Sequence, residues 1–172
     1  MKIMVIGDVV GKQGRRALQA LLPDLRREYG CAYCIANGEN MTGGSGLSSV
    51  SCKELHGRGV DVITSGDHVW RQRDFLQQIR ELPYVLRPAN LADGLPGSGW
   101  GVFNIPIGGS ICVVNVLGQV FMQEHADNPF QAVDRILADA KVRTPIVFVD
   151  MHAEATSECI AMGYYLDGRA TC

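Results

Sequence analysis

The sequence has no long apolar run. No stretch reaches the eighteen or so apolar residues that a membrane-spanning helix needs, although 47% of the residues are hydrophobic. The opening MKIMVIGDVVG places Gly7 and Asp8 inside the window where a signal peptide would keep its apolar segment. These absences predict a soluble, cytoplasmic protein with no membrane partner.

The chain also lacks a surplus of charge of either sign. Its 16 basic and 18 acidic residues are scattered along the sequence and give a net charge of -2. A surface that reads nucleic acid needs a cluster of Lys and Arg, and no such cluster is present. We therefore expect no sequence-specific nucleic-acid partner.

The six cysteines do not form a spaced framework. Most lie inside or beside apolar runs, which predicts buried free thiols rather than disulfides. Cys31 and Cys34 form a C-x-x-C, but they lie in the strand-like run CAYCIA, and no second pair completes a zinc site. The pattern argues against a redox or structural zinc role.

What the sequence does contain is an alternation of strand-like and helix-like segments. Strands are predicted at KIMVI, CAYCIA, VDVIT and PIVFVD, and a pair of strands around Gly108 and Gly109 in GWGVFNIPIGGSICVVNVLG. Helices are predicted at GRRALQALLPDLRREYG, near serines 48, 49 and 51, and at FLQQIREL, PFQAVDRILADA and ATSECIAMGYYLDG. The alternation predicts an α/β fold with a mainly parallel sheet, and the hairpin adds mixed pairing or a second sheet. The length predicts one domain over residues 1–172.

Four of the predicted strands end in side chains that could bind a ligand. Because parallel strands release their side chains at one edge of a sheet, residues from separate strands converge there. The candidates are Asp8 after MVIG, Glu39 and Asn40 in CIANGEN, Asp67 and His68 in VITSGDH, and His152 in VFVDMHAE.

The chemistry of these side chains favours a metal site. Carboxylate and amide oxygens together with imidazole nitrogens suit Mn, Fe, Mg or Zn, whereas a phosphate cradle without metal would be richer in Lys and Arg. Two acids in one crevice repel each other unless a cation neutralises them. Glu39 has two oxygens and could bridge two ions, with Asn37-Gly38 supplying the turn that aims it. The alternative is that NGEN is a polar turn with a solvated glutamate.

Several blocks, in order and along essentially the whole chain, resemble one enzyme family. They are GDVVGKQGR, IANGEN, GG-x-G, GVDVITSGDHVW, LRPAN and DMHAEATSE. They resemble the bacterial calcineurin-like metallophosphoesterases of the 2',3'-cyclic-nucleotide 2'-phosphodiesterase family. The resemblance implies a calcineurin-like sandwich of two mixed β-sheets flanked by helices, with two metal ions at one edge. It also implies an enzyme, often a homo-oligomer, that hydrolyses small phosphodiesters such as 2',3'-cyclic nucleotides with iron or manganese, or with magnesium or zinc.

The resemblance also implies a role for each candidate residue. Asp8 corresponds to a ligand of the first metal, and Glu39 corresponds to the bridge between the two metals. Asn40 corresponds to a metal ligand that also contacts phosphate, and Asp67 and His152 correspond to ligands of the second metal. His68 corresponds to the proton donor for the leaving oxygen.

Two departures from the family pattern keep other functions open. The family has Gly-Asn-His where this chain has Gly66-Asp67-His68, and it continues through a C-terminal third whose Gly-Thr-His-Thr-His block completes both metals. These departures favour, as the alternative, a non-catalytic metal- or nucleotide-binding protein. A Rossmann-like dinucleotide module ranks last, because its glycine spacing fails after the first strand.

Three further residues are assigned structural roles. Arg87 in LRPAN is expected to form a salt bridge, with contact to substrate phosphate as the less favoured alternative. Trp70 and Trp100 are expected to pack rather than to stack on a base.

Overall fold

A three-stranded sheet lies at the centre of each of two units in the computed structural model, which describes residues 1–140 and 143–172. The units are Met1–Val85 and Leu86–Cys172. The predicted α/β class is confirmed, because strands and helices alternate in both units. One metallophosphoesterase domain over residues 1–172 stays a prediction.

The first unit contains a parallel sheet with the strand order β1-β2-β3. Its elements are β1 (Lys2–Ile6), α1 (Gly11–Tyr29), β2 (Cys31–Asn37), α2 (Ser49–His56), β3 (Val62–Thr64), α3 (Phe75–Gln78) and a 3-10 turn (Ile79–Glu81). The central strand β2 is buried from Tyr33 to Asn37. A strand that is covered on both faces reads as a continuous apolar run, which is how CAYCIA appears in the sequence.

The helices of the first unit follow the signals in the sequence, with one exception. Helix α1 continues through Pro23 and ends at Gly30, which adopts a left-handed conformation. The Ser48 side chain accepts the Ser51 backbone N–H and so caps α2. FLQQIREL, predicted as one helix, is a short α-helix followed by a 3-10 turn, because Leu82 precedes Pro83 and must leave the helical region.

The second unit contains a mixed sheet with the strand order β4-β5-β6. Its elements are β4 (Trp100–Asn104), β5 (Ser110–Leu117), α4 (Pro129–Ala140), β6 (Val147–His152) and α5 (Thr156–Leu166). Strands β4 and β5 form the predicted antiparallel hairpin, and β5 pairs with β6 in parallel. The resemblance implied two mixed sheets, but β1, β2 and β3 pair only in parallel among the described residues.

The core of the second unit lies between α4, α5 and one face of its sheet. Cys112, Val114 and Val116 alternate along β5 and point to the same face, as the two-residue period of a strand requires. They pack with the apolar residues of α4 and with Met162 and Leu166 of α5. Among the described residues, no helix combines the length and the apolar character needed to cross a membrane.

The cysteines are free thiols, as predicted, but only half of them are buried. Cys34, Cys52 and Cys112 are buried, whereas Cys159 and Cys172 are exposed. Burial raises the pKa of Cys34 to about 12 and that of Cys112 to about 11, so both remain protonated at neutral pH. Cys34, the second cysteine of the C-x-x-C in β2, is therefore not a reactive thiolate.

Replacing Gly99 with alanine is expected to destabilise the fold. A Cβ atom at Gly99 would lie 2.2 Å from Ala89 Cα, a contact that only a backbone shift can relieve. Such overpacking costs about 1–3 kcal/mol or more in the free energy of unfolding, measurable by urea denaturation. Gly163→Ala is the matched control: Gly163 lies in α5 with no atom near its added Cβ, so the same change should stabilise by up to about 1 kcal/mol. Equal changes in the free energy of unfolding for Gly99→Ala and Gly163→Ala would contradict the close approach of Gly99 to Ala89.

Candidate metal centre

Glu39 is buried on the loop that follows β2. Its side chain is only 2% exposed. Its backbone N–H donates to Asn37 Oδ1 at 3.0 Å, and its carbonyl accepts the Gly46 N–H at 2.6 Å. A carboxylate placed this deeply needs a charged or strongly donating partner, because burial without one is costly.

The preceding glycine lets this loop lie against β3. The Gly38 N–H donates to the Thr64 carbonyl at 2.9 Å, and a Cβ at this position would lie 2.8 Å from Ile63 Cγ2. Only a residue without a side chain fits such an approach. The turn predicted at Asn37-Gly38 is therefore present, and it carries Glu39 toward the end of β3.

Asp67 and His68 meet Glu39 beyond the end of β3. A carboxylate oxygen of Glu39 lies within 4.8 Å of one of Asp67. His68 Nδ1 lies 3.0 Å from Glu39 Oε1, and His68 Nε2 lies 3.8 Å from Asp67 Oδ2. The Asp67 side chain is 13% exposed and that of His68 is 29% exposed, so solvent reaches the imidazole more readily.

Asn40 links this group to the first strand. Its Oδ1 lies 3.0 Å from His68 Nδ1, and its Nδ2 donates to Asp8 Oδ2 at 3.3 Å. The backbone of Asn40 is also fixed, because its carbonyl accepts the Gly11 N–H at 2.9 Å. The first unit thus gathers Asp8, Glu39, Asn40, Asp67 and His68 in one connected group at the carboxyl ends of β1, β2 and β3.

The acceptors around His68 determine which ring nitrogen carries a proton. Asn40 Oδ1 can only accept a hydrogen bond, and so can an ionised Glu39. Nδ1 must therefore be the protonated nitrogen, with its N–H shared between these two oxygens at 3.0 Å each. Nε2 is left as the nitrogen that can exchange a proton with a ligand.

His152 belongs to the second unit. We expected it just past the end of its strand, but it is the last residue of β6, where it pairs with Leu117. Its carbonyl accepts the Gly118 N–H at 2.8 Å. Its strand lies in the sheet of the second unit, whereas the strands that precede Asp8, Glu39 and Asp67 form the sheet of the first. The role of His152 as a metal ligand stays a prediction.

Comparison with known proteins identifies the family of the chain. The sequence model of the YmdB-like protein family matches residues 4–172. The chain belongs to the YmdB-like protein family. The family assignment agrees with the resemblance seen in the sequence motifs.

Relatives of this YmdB-like chain include proteins named as enzymes. The chain is 40% identical over 171 residues to the 2',3'-cyclic-nucleotide 2'-phosphodiesterase of Bacillus subtilis (strain 168), covering 99% of itself and 64% of that protein. Its fold matches the crystal structure of a hypothetical protein from Thermus thermophilus with a TM-score of 0.90 at 40% identity, covering 99% of this chain and 65% of that one. It also matches a structure described as a novel phosphatase from Mycoplasma pneumoniae, with a TM-score of 0.89 at 34% identity, covering 99% and 62%. The chain thus spans somewhat less than two thirds of these relatives.

The donor set of the YmdB-like chain fits a hard or borderline cation. Two carboxylates whose oxygens lie within 4.8 Å repel each other, and Glu39 is almost fully buried. The His68 N–H can donate a hydrogen bond to Glu39, but only a cation supplies the opposite charge that two carboxylates need. Oxygen donors with a neighbouring imidazole are the ligands that Mn, Fe, Mg and Zn accept.

The side chain of Asn37 has a role beyond the turn that was predicted for Asn37-Gly38. It is buried, and its Oδ1 accepts the Glu39 N–H two residues ahead, which is the pattern of an Asx-turn. The predicted turn is thus stabilised by the asparagine side chain itself, which accepts a hydrogen bond from the backbone two residues later. We identify Asn37 as a positioning residue for Glu39.

Proposed function

We propose that the chain is part of a metal-dependent phosphodiesterase that hydrolyses 2',3'-cyclic nucleotides or related phosphodiesters at a dinuclear metal centre. The main support is the convergence of Glu39 and Asp67 within 4.8 Å, with His68 beside both. Further support comes from the Bacillus subtilis relative, which is named a 2',3'-cyclic-nucleotide 2'-phosphodiesterase.

The proposed ligand set has one residue from each strand end and one amide. The ligands are Asp8, Glu39, Asn40, Asp67 and His152, with Glu39 as the bridge. Iron or manganese are the proposed metals, with magnesium or zinc as alternatives. When bound, the metals would supply Lewis-acid polarisation of the phosphoryl group.

The chain's own residues would orient the substrate and move the proton. We propose that His68 acts with a proton on both ring nitrogens and donates the one on Nε2 to the leaving ribose oxygen, while the Nδ1 proton stays with Asn40 and Glu39. The amide of Asn40 lies beside Asp8 and would help to place the phosphate. Water would supply the oxygen that bonds to phosphorus as the bond between phosphorus and the 2' oxygen breaks, and the product would be a 3'-nucleotide with a free 2'-hydroxyl.

Other parts of the proposal rest on the sequence and on family membership. They are the calcineurin-like arrangement of the two sheets in a sandwich, a cytoplasmic location and a homo-oligomeric state. The substrate is proposed to be a small phosphodiester, with no sequence-specific nucleic acid or membrane partner.

The function is tested by measuring metal content and turnover in the same sample. The chain loaded with manganese or iron should contain bound metal by elemental analysis and should convert 2',3'-cyclic AMP to 3'-AMP. A chelator should stop the reaction, and added metal should restore it. Metal bound without turnover would select the non-catalytic alternative, and the absence of bound metal would contradict the metal-dependent function and leave nucleotide binding as the alternative.

A further inference from the structure

The second unit contains a cavity of about 360 Å³ that includes none of the candidate metal ligands among its lining residues. It lies between the segment before β4 and helix α4. The lining residues that matter here are Arg87, Asp93, Ser98, Trp100 and Arg135. A volume of this size accommodates a small ligand.

Arg87 is the residue that makes this cavity unusual. Its side chain is 9% exposed, although arginine is rarely buried without a paired acid. The expected salt bridge is not formed: among the described residues, no carboxylate lies within 4.0 Å of its guanidinium. Its Nη1 donates to the Pro88 carbonyl at 2.8 Å, and its buried Nε has no hydrogen-bond partner.

A buried arginine in this state still carries its charge. Burial lowers the pKa of Arg87 and the charge of Asp93 raises it, but an arginine remains protonated at neutral pH. A buried charge whose donors are not all satisfied is costly, so the site favours a ligand that accepts hydrogen bonds and carries negative charge.

The surroundings of Arg87 add positive charge. Arg135 of α4 lines the same cavity, and Asp93 is the acid that lines it. The guanidinium of Arg143 lies over the Trp100 ring, 5.6 Å from its centroid, and brings a third arginine close to the lining. Two arginines against one aspartate leave the lining with net positive charge.

The walls of the cavity are held in place by the backbone. The Arg87 N–H donates to the Ser98 carbonyl at 3.0 Å, and the Ala89 N–H donates to the Asn115 carbonyl at 2.7 Å. The Asn90 side chain, which is buried, donates to the Leu117 carbonyl at 2.7 Å and accepts the Leu117 N–H at 2.8 Å. The segment that carries Arg87 is therefore fixed before any ligand arrives, which lowers the entropy cost of binding.

From the buried guanidinium, the second arginine and the fixed walls, we infer that this cavity binds a phosphate group. A phosphate offers several acceptor oxygens in a geometry that matches the arginine fork, and it can engage Arg87 and Arg135 together. A carboxylate has two oxygens and one charge, and so serves two arginines less well. The phosphate can be inorganic or carried by a small organic molecule.

Phosphate binding is tested on the chain treated with a chelator, so that the candidate metal centre does not contribute. Inorganic phosphate, titrated at constant ionic strength against chloride, should raise the melting temperature of the wild-type chain. In Arg87→Met the affinity for phosphate should fall by at least tenfold, and in Arg135→Gln it should fall by a smaller factor. Arg80→Met removes an exposed arginine of the first unit and should bind phosphate like wild type.

Two further measurements make the test decisive. Arg87→Met should fold at least as well as wild type in chloride, because it removes a buried charge. If it does not fold, Arg87→Lys should still bind phosphate more weakly than wild type, because lysine keeps the charge but lacks the forked guanidinium.

Binding of 5'-AMP but not of adenosine would place the phosphate of an organic ligand in the cavity, and binding of inorganic phosphate alone would identify the free ion. Equal binding of acetate and phosphate, or unchanged phosphate affinity without the Arg87 guanidinium, would overturn the inference.

Discussion

Glu39→Gln is expected to remove metal from the chain and to abolish hydrolysis of 2',3'-cyclic AMP. The substitution keeps the size of a side chain that is 2% exposed, but it removes the negative charge and one of two equivalent oxygens. Loss of even an outer partner of a metal ligand costs about 10- to 100-fold in metal affinity or activity. In the proposed dinuclear centre Glu39 would bind both metal ions. We therefore expect its substitution to lower metal affinity and activity by more than about 100-fold.

The matched control for this variant is Asp67→Asn. It makes the same change from carboxylate to amide within 4.8 Å of Glu39, and it installs the residue that the family resemblance places there. An amide oxygen can still bind one metal, so metal affinity should fall by less than about tenfold and turnover should persist. The removed negative charge should also strengthen the pull of the metal on a phosphoryl oxygen.

Thermal unfolding separates a lost metal site from a damaged fold. Without metal, Glu39→Gln should melt at or above the wild-type temperature, because it relieves repulsion between two nearby carboxylates. Added manganese should raise the melting temperature of the wild type and leave that of Glu39→Gln unchanged. If Glu39→Gln and Asp67→Asn lose metal equally, Glu39 has no special bridging role.

Local sequence patterns predicted most of the elements in both units. The alternation of apolar residues along β5 and the helical spacing of α1 and α4 are strong signals, because burial on one face imposes them directly. The cap at Ser48 and the left-handed Gly30 mark helix ends for equally local reasons. The C-terminal end of β6 was less well placed, because no glycine or proline follows Asp150 closely enough to mark where the strand ends.

Strand pairing was harder to predict, because it depends on contacts between distant parts of the chain. The hairpin at Gly108 and Gly109 indicated a second sheet, but nothing local showed that β6 would pair with β5. Local signals therefore did not show that the strand ending at His152 belongs to a different sheet from the strands that precede Asp8 and Glu39. Within the first unit the same logic succeeded, because the helical connections of successive parallel strands align their carboxyl ends.

The partners of buried polar residues were the other limit of sequence reasoning. Arg87 was expected to find an acid, and the nearest candidate in its segment, Asp93, lines the same cavity without an ion pair. Asn37 was identified as a turn residue, but its side-chain bond to the Glu39 N–H is a feature of the folded loop. Charge and residue type predict that a partner is needed, whereas only the fold decides which atom provides it.

His68→Gln is expected to lower the turnover number for 2',3'-cyclic AMP by about 10²- to 10⁴-fold, the usual contribution of a general acid. Glutamine can keep a hydrogen bond to Asn40 Oδ1 or Glu39 Oε1, where His68 Nδ1 now lies at 3.0 Å. It cannot release a proton to a leaving oxygen. Metal content should therefore remain close to that of the wild type, in contrast to Glu39→Gln.

A comparison of two substrates with different leaving groups distinguishes proton donation by His68 from a purely structural role. A ribose oxygen departs as a strong base and needs a proton, whereas the anion of p-nitrophenol is stable and departs without one. His68→Gln should therefore hydrolyse bis(p-nitrophenyl) phosphate within about tenfold of the wild-type rate while it loses most activity on the cyclic nucleotide. Equal losses on both substrates would show that His68 only holds Glu39 and Asn40 in place. Because Nδ1 is committed to those two oxygens, the difference between the substrates reports on Nε2 alone.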